Sequence, residues 1–247
     1  MKIRKNIQLC KVTAMEEELT HSPFQPNDPV NPKNFKGRQE IIKQIDRYMP
    51  NARRGIVQHF YLTGKRGMGK TSLANYLLDY YERNHNTIGI HVVNDGIHDI
   101  ETLIISIVEI LLNKNKTEKW YKKLYEGLKD EVKSVGILGN SIEFHPKKET
   151  IDMLRTHFPI FLKELSEESD NNFIIVIEDI NGLSHTNEFA NWYKSLADTL
   201  ALKDYYGKTK VAFILTSHPN KLIALHNHNP SFTRIFHHFP LNELNSK

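Results

Sequence analysis

Eight consecutive residues, Gly64, Lys65, Arg66, Gly67, Met68, Gly69, Lys70 and Thr71, fit the spacing G-x-x-x-x-G-K-[ST] at every position. That spacing suits one task, holding a chain of phosphates. A triphosphate carries dense negative charge, and a loop can wrap it with backbone N–H groups only where glycine lets the chain come close. Lys70 has the charge and reach to meet the β- and γ-phosphates, and the Thr71 hydroxyl can ligate Mg²⁺. Ser72 continues the first turn of the helix that starts here, whose positive dipole end faces the same charge. The expected ligand is ATP with Mg²⁺.

Phosphoryl chemistry at such a loop needs an acidic residue at the end of a neighbouring strand, facing the metal. The apolar run Phe173 to Ile177 ends directly in Glu178 and Asp179. Glu178 is expected to hold Mg²⁺ or its water shell, and Asp179 to polarise the attacking water. The two roles can exchange, because adjacent strand residues point to opposite faces. A later apolar run, Val211 to Leu215, ends in Thr216 and Ser217. Ligands gather at the carboxyl ends of strands in a parallel sheet, so either hydroxyl can reach the γ-phosphate or the attacking water. An ordinary strand-to-loop turn is the alternative.

Positioning these groups takes an alternation of strands and helices. His59 to Leu62 is a short strand, Lys70 to Asn84 a helix with Leu73, Leu77, Leu78 and Tyr81 on one side, and Ile88 to Val93 a second strand. Strand, glycine loop, helix, strand implies parallel pairing with a right-handed crossover. The continuous apolar runs at 173–177 and 211–215 suit strands buried on both faces. Further helices are predicted over 37–49, stopped by Pro50, and over 100–112, 117–133, 149–168 and 187–202. Two β-like runs flanking Gly139 and Asn140 predict a small hairpin inserted near 135–144. The tail from 218 reads as irregular, with a last strand at Phe236 to Phe239. Residues 1–21 read as an N-terminal extension and 22–247 as one P-loop domain.

Bulk composition narrows the classes. At 247 residues, 39% hydrophobic and 25% charged, the chain can bury a real core. A net charge of +4 is too mild to indicate nucleic acid by itself. Cys10 is the only cysteine, which excludes an intrachain disulfide and suits a reducing cytoplasm. No apolar run has the length of a membrane helix, so no membrane partner is expected.

Before the phosphate loop stand Ser22-Pro23-Phe24 and then Pro32-x-x-Phe35-x-Gly37-Arg38-x-Glu40-Ile41. With this lead-in, the chain over residues 22–242 resembles the AAA+/STAND group of P-loop ATPases, nearest the bacterial and archaeal proteins akin to origin-recognition ATPases. The resemblance implies a three-layer α/β/α sandwich around a parallel sheet. It implies that the lead-in packs against adenine, with Val30, Phe35 and Gly37 near the base and Arg38 nearby. Plain core packing of Phe35 and Ile41 is the other reading. Lys70 and Thr71 match the family's Walker A positions, Glu178 and Asp179 its Walker B, and Thr216 or Ser217 its first sensor. Arg234, in Ser231-Phe-Thr-Arg-Ile-Phe236, matches an arginine that reaches a neighbour's γ-phosphate, which implies self-association; a surface or structural arginine is the alternative. The chain departs from the pattern twice. Glu178 stands where an aspartate is usual, and the chain stops at Lys247, where a helical lid would begin. The lid and its sensing arginine are therefore expected to be missing, and a DNA or protein partner to be met through that missing region.

Two other features invite chemistry and are read plainly. The pairs His226-x-His228 and His237-His238 lack the i, i+4 spacing of a helical zinc pair. The basic, aromatic stretch 114–133 reads as a solvated amphipathic helix burying Trp120 and Leu124. The sequence thus predicts an ATPase that couples Mg-ATP binding and hydrolysis to conformational change or assembly. The alternative is a slowly hydrolysing STAND-type switch that acts by binding a partner.

Overall fold

The computed structural model describes residues 28–93, 96–114, 132–138, 141–146, 148–202 and 207–244. The lead-in triplet 22–24, the N-terminal extension and the aromatic stretch around Trp120 lie outside the described residues.

A five-stranded, all-parallel sheet forms the centre. It comprises β1 (Gln58–Thr63), β2 (Thr87–Val93), β5 (Asn172–Glu178), β6 (Val211–Ser217) and β7 (His237–Pro240), in the order β2-β5-β6-β1-β7. Helices α1 (Gln39–Arg53) and α2 (Lys70–Asn84) cover one face. Helices α3 (Ile100–Lys114), α4 (Lys148–Glu168), α5 (Asn187–Leu200) and α6 (Pro219–His228) cover the other. The short strands β3 (Val132–Leu138) and β4 (Ser141–Pro146) pair antiparallel as the expected hairpin.

Strand pleating explains why the apolar runs are continuous. In β5, Phe173, Ile175 and Ile177 enter the core under α3 to α6, while Ile174 and Val176 enter the core under α1 and α2. All five are essentially fully buried, each worth about 2–3 kcal/mol of apolar transfer. The same alternation assigns the polar residue that follows. Glu178 shares the parity of Ile174 and Val176, so it faces α2.

Three expectations need correction. Pro50 does not stop α1, which runs on to Arg53. The proline costs one N–H and a steric clash, roughly 3 kcal/mol in a helix interior, but Met49 and Ala52 on either side of it are both 2% exposed, and their packing carries the last turn. The tail is not irregular throughout. His218 caps α6 by accepting from Asn220 N, Pro219 opens the helix, and Leu225 anchors it in the core. Residues 132–133, expected at a helix end, begin β3.

Candidate nucleotide-binding site

The loop from Gly64 to Gly69 leaves the carboxyl end of β1 and enters α2. Gly64 is needed for close approach, since a Cβ there would lie 3.0 Å from the Leu241 carbonyl. Gly67 and Gly69 are needed for conformation. Both have φ of +80°, and the space a side chain would fill is open. The loop is therefore a concave backbone cradle with room in it. Lys70 folds over this cradle, donating to the carbonyls of Gly64 (2.9 Å) and Lys65 (3.2 Å). Burial lowers the Lys70 ammonium from the usual lysine value, while the nearby carboxylates of Asp179 and Glu178 pull the other way.

At the start of α2 the Thr71 hydroxyl donates to Glu178 Oε1. The other carboxylate oxygen, Oε2, lies 2.8 Å from His91 Nε2. His91 sits on β2, next to β5 in the sheet, and points to the same face as Glu178. Glu178 is 8% exposed, so its charge is held by these two side chains rather than by water. Thr71 and Glu178 are oxygen donors of the type Mg²⁺ takes. Together they would supply part of the oxygen set such an ion needs.

Asp179 turns away at the strand end with φ of +52°. Its N–H donates to Thr216 Oγ1 at 3.0 Å, its carbonyl accepts from Asn181 N at 2.6 Å, and its carboxylate accepts from the Asn181 amide. This left-handed backbone is a local strain of roughly 1–3 kcal/mol, held by three hydrogen bonds. Thr216 and Ser217 are both fully buried. Thr216 faces the Glu178 side and acts on Asp179. Ser217 faces the other core, 2.9 Å from the Tyr61 hydroxyl, and donates to its neighbour's carbonyl.

The lead-in lies against the loop. Val30 N donates to Ser72 Oγ (3.1 Å), and the Phe35 ring stacks on Tyr76 with centroids 4.8 Å apart. Gly37, with φ of +86°, has the Leu244 side chain 3.0 Å from where a Cβ would sit. The Arg38 guanidinium donates to the carbonyls of Met68 (3.1 Å) and Asn242, tying loop, lead-in and tail together. Burial lowers the Arg38 pKa from its ordinary value.

Arg234 is not among these residues. It sits in the 3₁₀ turn Thr233–Ile235, anchored by the fully buried Phe232. It lines a cleft with Val57 and His59 at the amino end of β1. The six residues of β1 separate it from Gly64 by roughly 20 Å. The candidate histidines have other occupations. His237 stacks on Tyr48 (3.8 Å), His238 Nε2 meets Thr63 Oγ1 (2.7 Å), and His226 Nδ1 meets Thr233 Oγ1 (3.0 Å).

Sequence reasoning missed His91 and Asn242. The signal for His91 was a lone polar residue inside the apolar strand 88–93. Its meaning required knowing that β2 pairs with β5.

The AAA ATPase domain family matches residues 34–202, and the chain belongs to that family. It is therefore a nucleotide-binding ATPase domain at the level of the family. Among solved structures, it is similar to Cdc6p from Pyrobaculum aerophilum, at 17% identity and a TM-score of 0.54, covering 88% of this chain and 48% of that one. It is also similar to the Aeropyrum pernix ORC2 protein in its ADPNP and ADP complexes, at 14% identity and a TM-score of 0.55, covering 89% and 50%. A third similar structure is the A. pernix ORC1 protein in complex with DNA, at 12% identity and a TM-score of 0.50, covering 91% and 47%. These likenesses establish the fold, and the chain spans about half the length of each of these proteins. No curated protein matches the sequence. Among the described residues no helix is long and apolar enough to cross a membrane.

Proposed function

We propose that this chain binds ATP with Mg²⁺ at the loop Gly64 to Ser72 and hydrolyses it, coupling nucleotide state to conformational change or assembly. The observation that carries the reading is the convergence of Lys70, Thr71 and Glu178 on one face of the sheet, beside an open glycine cradle. Lys70 leaves its two loop carbonyls for the β- and γ-phosphates. Thr71 and Glu178 would hold Mg²⁺, which would neutralise phosphate charge when bound. Asp179 orients the attacking water, with Thr216 positioning it through its backbone N–H. Val30, Phe35, Gly37 and Arg38 flank the base. Catalysis of this kind is positioning plus electrostatics. The A. pernix ORC2 structure contains ADPNP and ADP, which supports the ligand class.

Arg234 faces away from its own loop, which supports action on a neighbour's nucleotide in an assembly. One observation favours slow turnover, as in a STAND-type switch with a protein or DNA partner. One oxygen of the Asp179 carboxylate is engaged by Asn181, which leaves fewer acceptor positions for water. Phosphate release from purified protein, with and without DNA, separates the readings. Asp179→Asn is expected to bind Mg-ATP normally and to lose turnover roughly a hundredfold or more; unchanged turnover would move the role of base off Asp179.

A further inference from the structure

Two clefts open at the amino edge of the large sheet, remote from the phosphate loop. The larger, about 760 Å³, is lined by Arg54, Val57, His59, Lys194 and Arg234 among others. The smaller, about 420 Å³, is lined by Arg53, Ser166, Glu167, Lys208 and Lys210 among others. They share Arg54, Gly55 and Gly207, so they form one continuous depression.

Its floor is a backbone contact. Gly55 has φ of +83°, and a Cβ there would lie 1.9 Å from the Gly207 carbonyl oxygen. No other residue fits at 55. The contact presses the end of α1, which carries Arg53 and Arg54, against the segment before β6, which carries Lys208 and Lys210. These two basic segments are far apart in sequence, and only the fold brings them together.

Among the described residues the charges do not balance. These supply six cations, Arg53, Arg54, Lys194, Lys208, Lys210 and Arg234, against two carboxylates, Glu167 and Asp198. Lys194 pairs with Asp198, and Lys208 lies 3.9 Å from Glu167. Among the described residues Arg53, Arg54, Lys210 and Arg234 have no carboxylate partner. The Arg53 Nε is buried with no hydrogen-bond partner among the described residues. Like charges gathered around a concave floor focus a positive potential into it. A single carboxylate ligand would answer one of four unpaired cations, whereas several phosphates would answer them together, and the guanidinium fork matches phosphate oxygens.

Shape decides the size of the ligand. Each of the two clefts falls in the volume range of small-molecule pockets. Among the described residues no Phe, Tyr or Trp lines the depression. We propose that the joined clefts at the amino edge bind a small ligand carrying more than one phosphate group, at a second anion site separate from the phosphate loop. The proposal stands independently of what the loop binds.

The test uses the full chain and inorganic tripolyphosphate as probe, followed by titration calorimetry. Lys70→Ala removes the phosphate loop's principal cation, so the remaining binding reports the second site. In that background tripolyphosphate is expected to bind, more weakly as salt rises. A further double change, Arg54→Gln with Lys208→Gln, alters two exposed side chains and should weaken this binding at least tenfold, with an unchanged thermal midpoint showing that the fold is intact. Lys210→Gln alone should weaken it several-fold. Absence of binding in the Lys70→Ala chain, or binding indifferent to these three substitutions, overturns the proposal. So does duplex DNA binding that needs these residues when tripolyphosphate does not bind.

Discussion

The two ends of the central sheet handle charge in opposite ways. At the carboxyl end Lys70, Thr71, Glu178 and Asp179 each already have a partner inside the protein. Lys70 rests on two carbonyls, Thr71 on Glu178, Glu178 on His91, and Asp179 on Thr216 and Asn181. At the amino end Arg53, Arg54, Lys210 and Arg234 stand without carboxylate partners among the described residues. A site that satisfies itself must exchange partners when a ligand arrives, so occupancy rearranges side chains and can be read by the rest of the chain. Arg38 is well placed for that, because one guanidinium bridges the loop carbonyl of Met68 and the tail carbonyl of Asn242. A site of unpaired charge has nothing to exchange. It responds to ligand by neutralisation and to salt by screening.

The contrast can be broken most forcefully at Lys70. Two charge-assisted contacts to phosphate are worth roughly 1.5–3 kcal/mol each, so Lys70→Ala should weaken Mg-ATP binding by roughly a thousandfold. Calorimetry that still finds micromolar affinity would remove the loop from the nucleotide site.

The amino end carries a pH dependence of its own. His59 is buried against Phe213, with Nδ1 2.9 Å from the Tyr193 hydroxyl. Burial, helped by His237, lowers its pKa from 6.5 to about 3. An unfolded chain takes up this proton near pH 6.5, while the folded chain resists it down to about 3. Unfolding in that window therefore absorbs a proton. Stability from His59 is complete above about pH 6.5 and declines as pH falls towards 3, by up to about 5 kcal/mol. His59→Gln should flatten the fall seen in denaturant titrations across that range. An equally steep fall would assign it to other groups.

Glycine substitutions compare the two ends directly. Gly55→Ala meets both a left-handed backbone and a carbonyl oxygen at 1.9 Å, and should cost about 3 kcal/mol in chemical denaturation. Gly67→Ala meets only the backbone term, about 1 kcal/mol, because the space above it is open. Equal costs would mean that the amino-end floor can relax.

The smallest effect tests how Glu178 is held. Removing a group that orients a metal ligand costs tenfold or more in metal affinity. His91→Ala should raise the Mg²⁺ concentration for half-maximal nucleotide binding by about tenfold, with little loss of stability. An unchanged Mg²⁺ requirement would make the His91 contact incidental.

Much of this was readable from the chain. The glycine loop, the helix after it and the doubly buried strands each follow from residue type and local period. The hairpin was legible for the same reason. The reading failed where packing outweighs a local rule. Pro50 should end a helix, yet buried Met49 and Ala52 carry α1 past it. The histidine-rich tail has weak local signals, but Leu225 and Phe232 reach the core and order it.

By itself the sequence determined which groups could bind phosphate and which strand would end in acid, because those features depend on neighbours along the chain. Tertiary structure alone decided that Glu178 rather than Asp179 faces Thr71, since strand parity acquires meaning only when helices occupy both faces. It alone put His91 beside Glu178, kept Arg234 a full strand length from its own loop, and gathered Arg53, Arg54, Lys208 and Lys210 around one glycine contact. Those pairings join residues far apart in sequence, and side-chain contacts across a sheet have no signature in local composition.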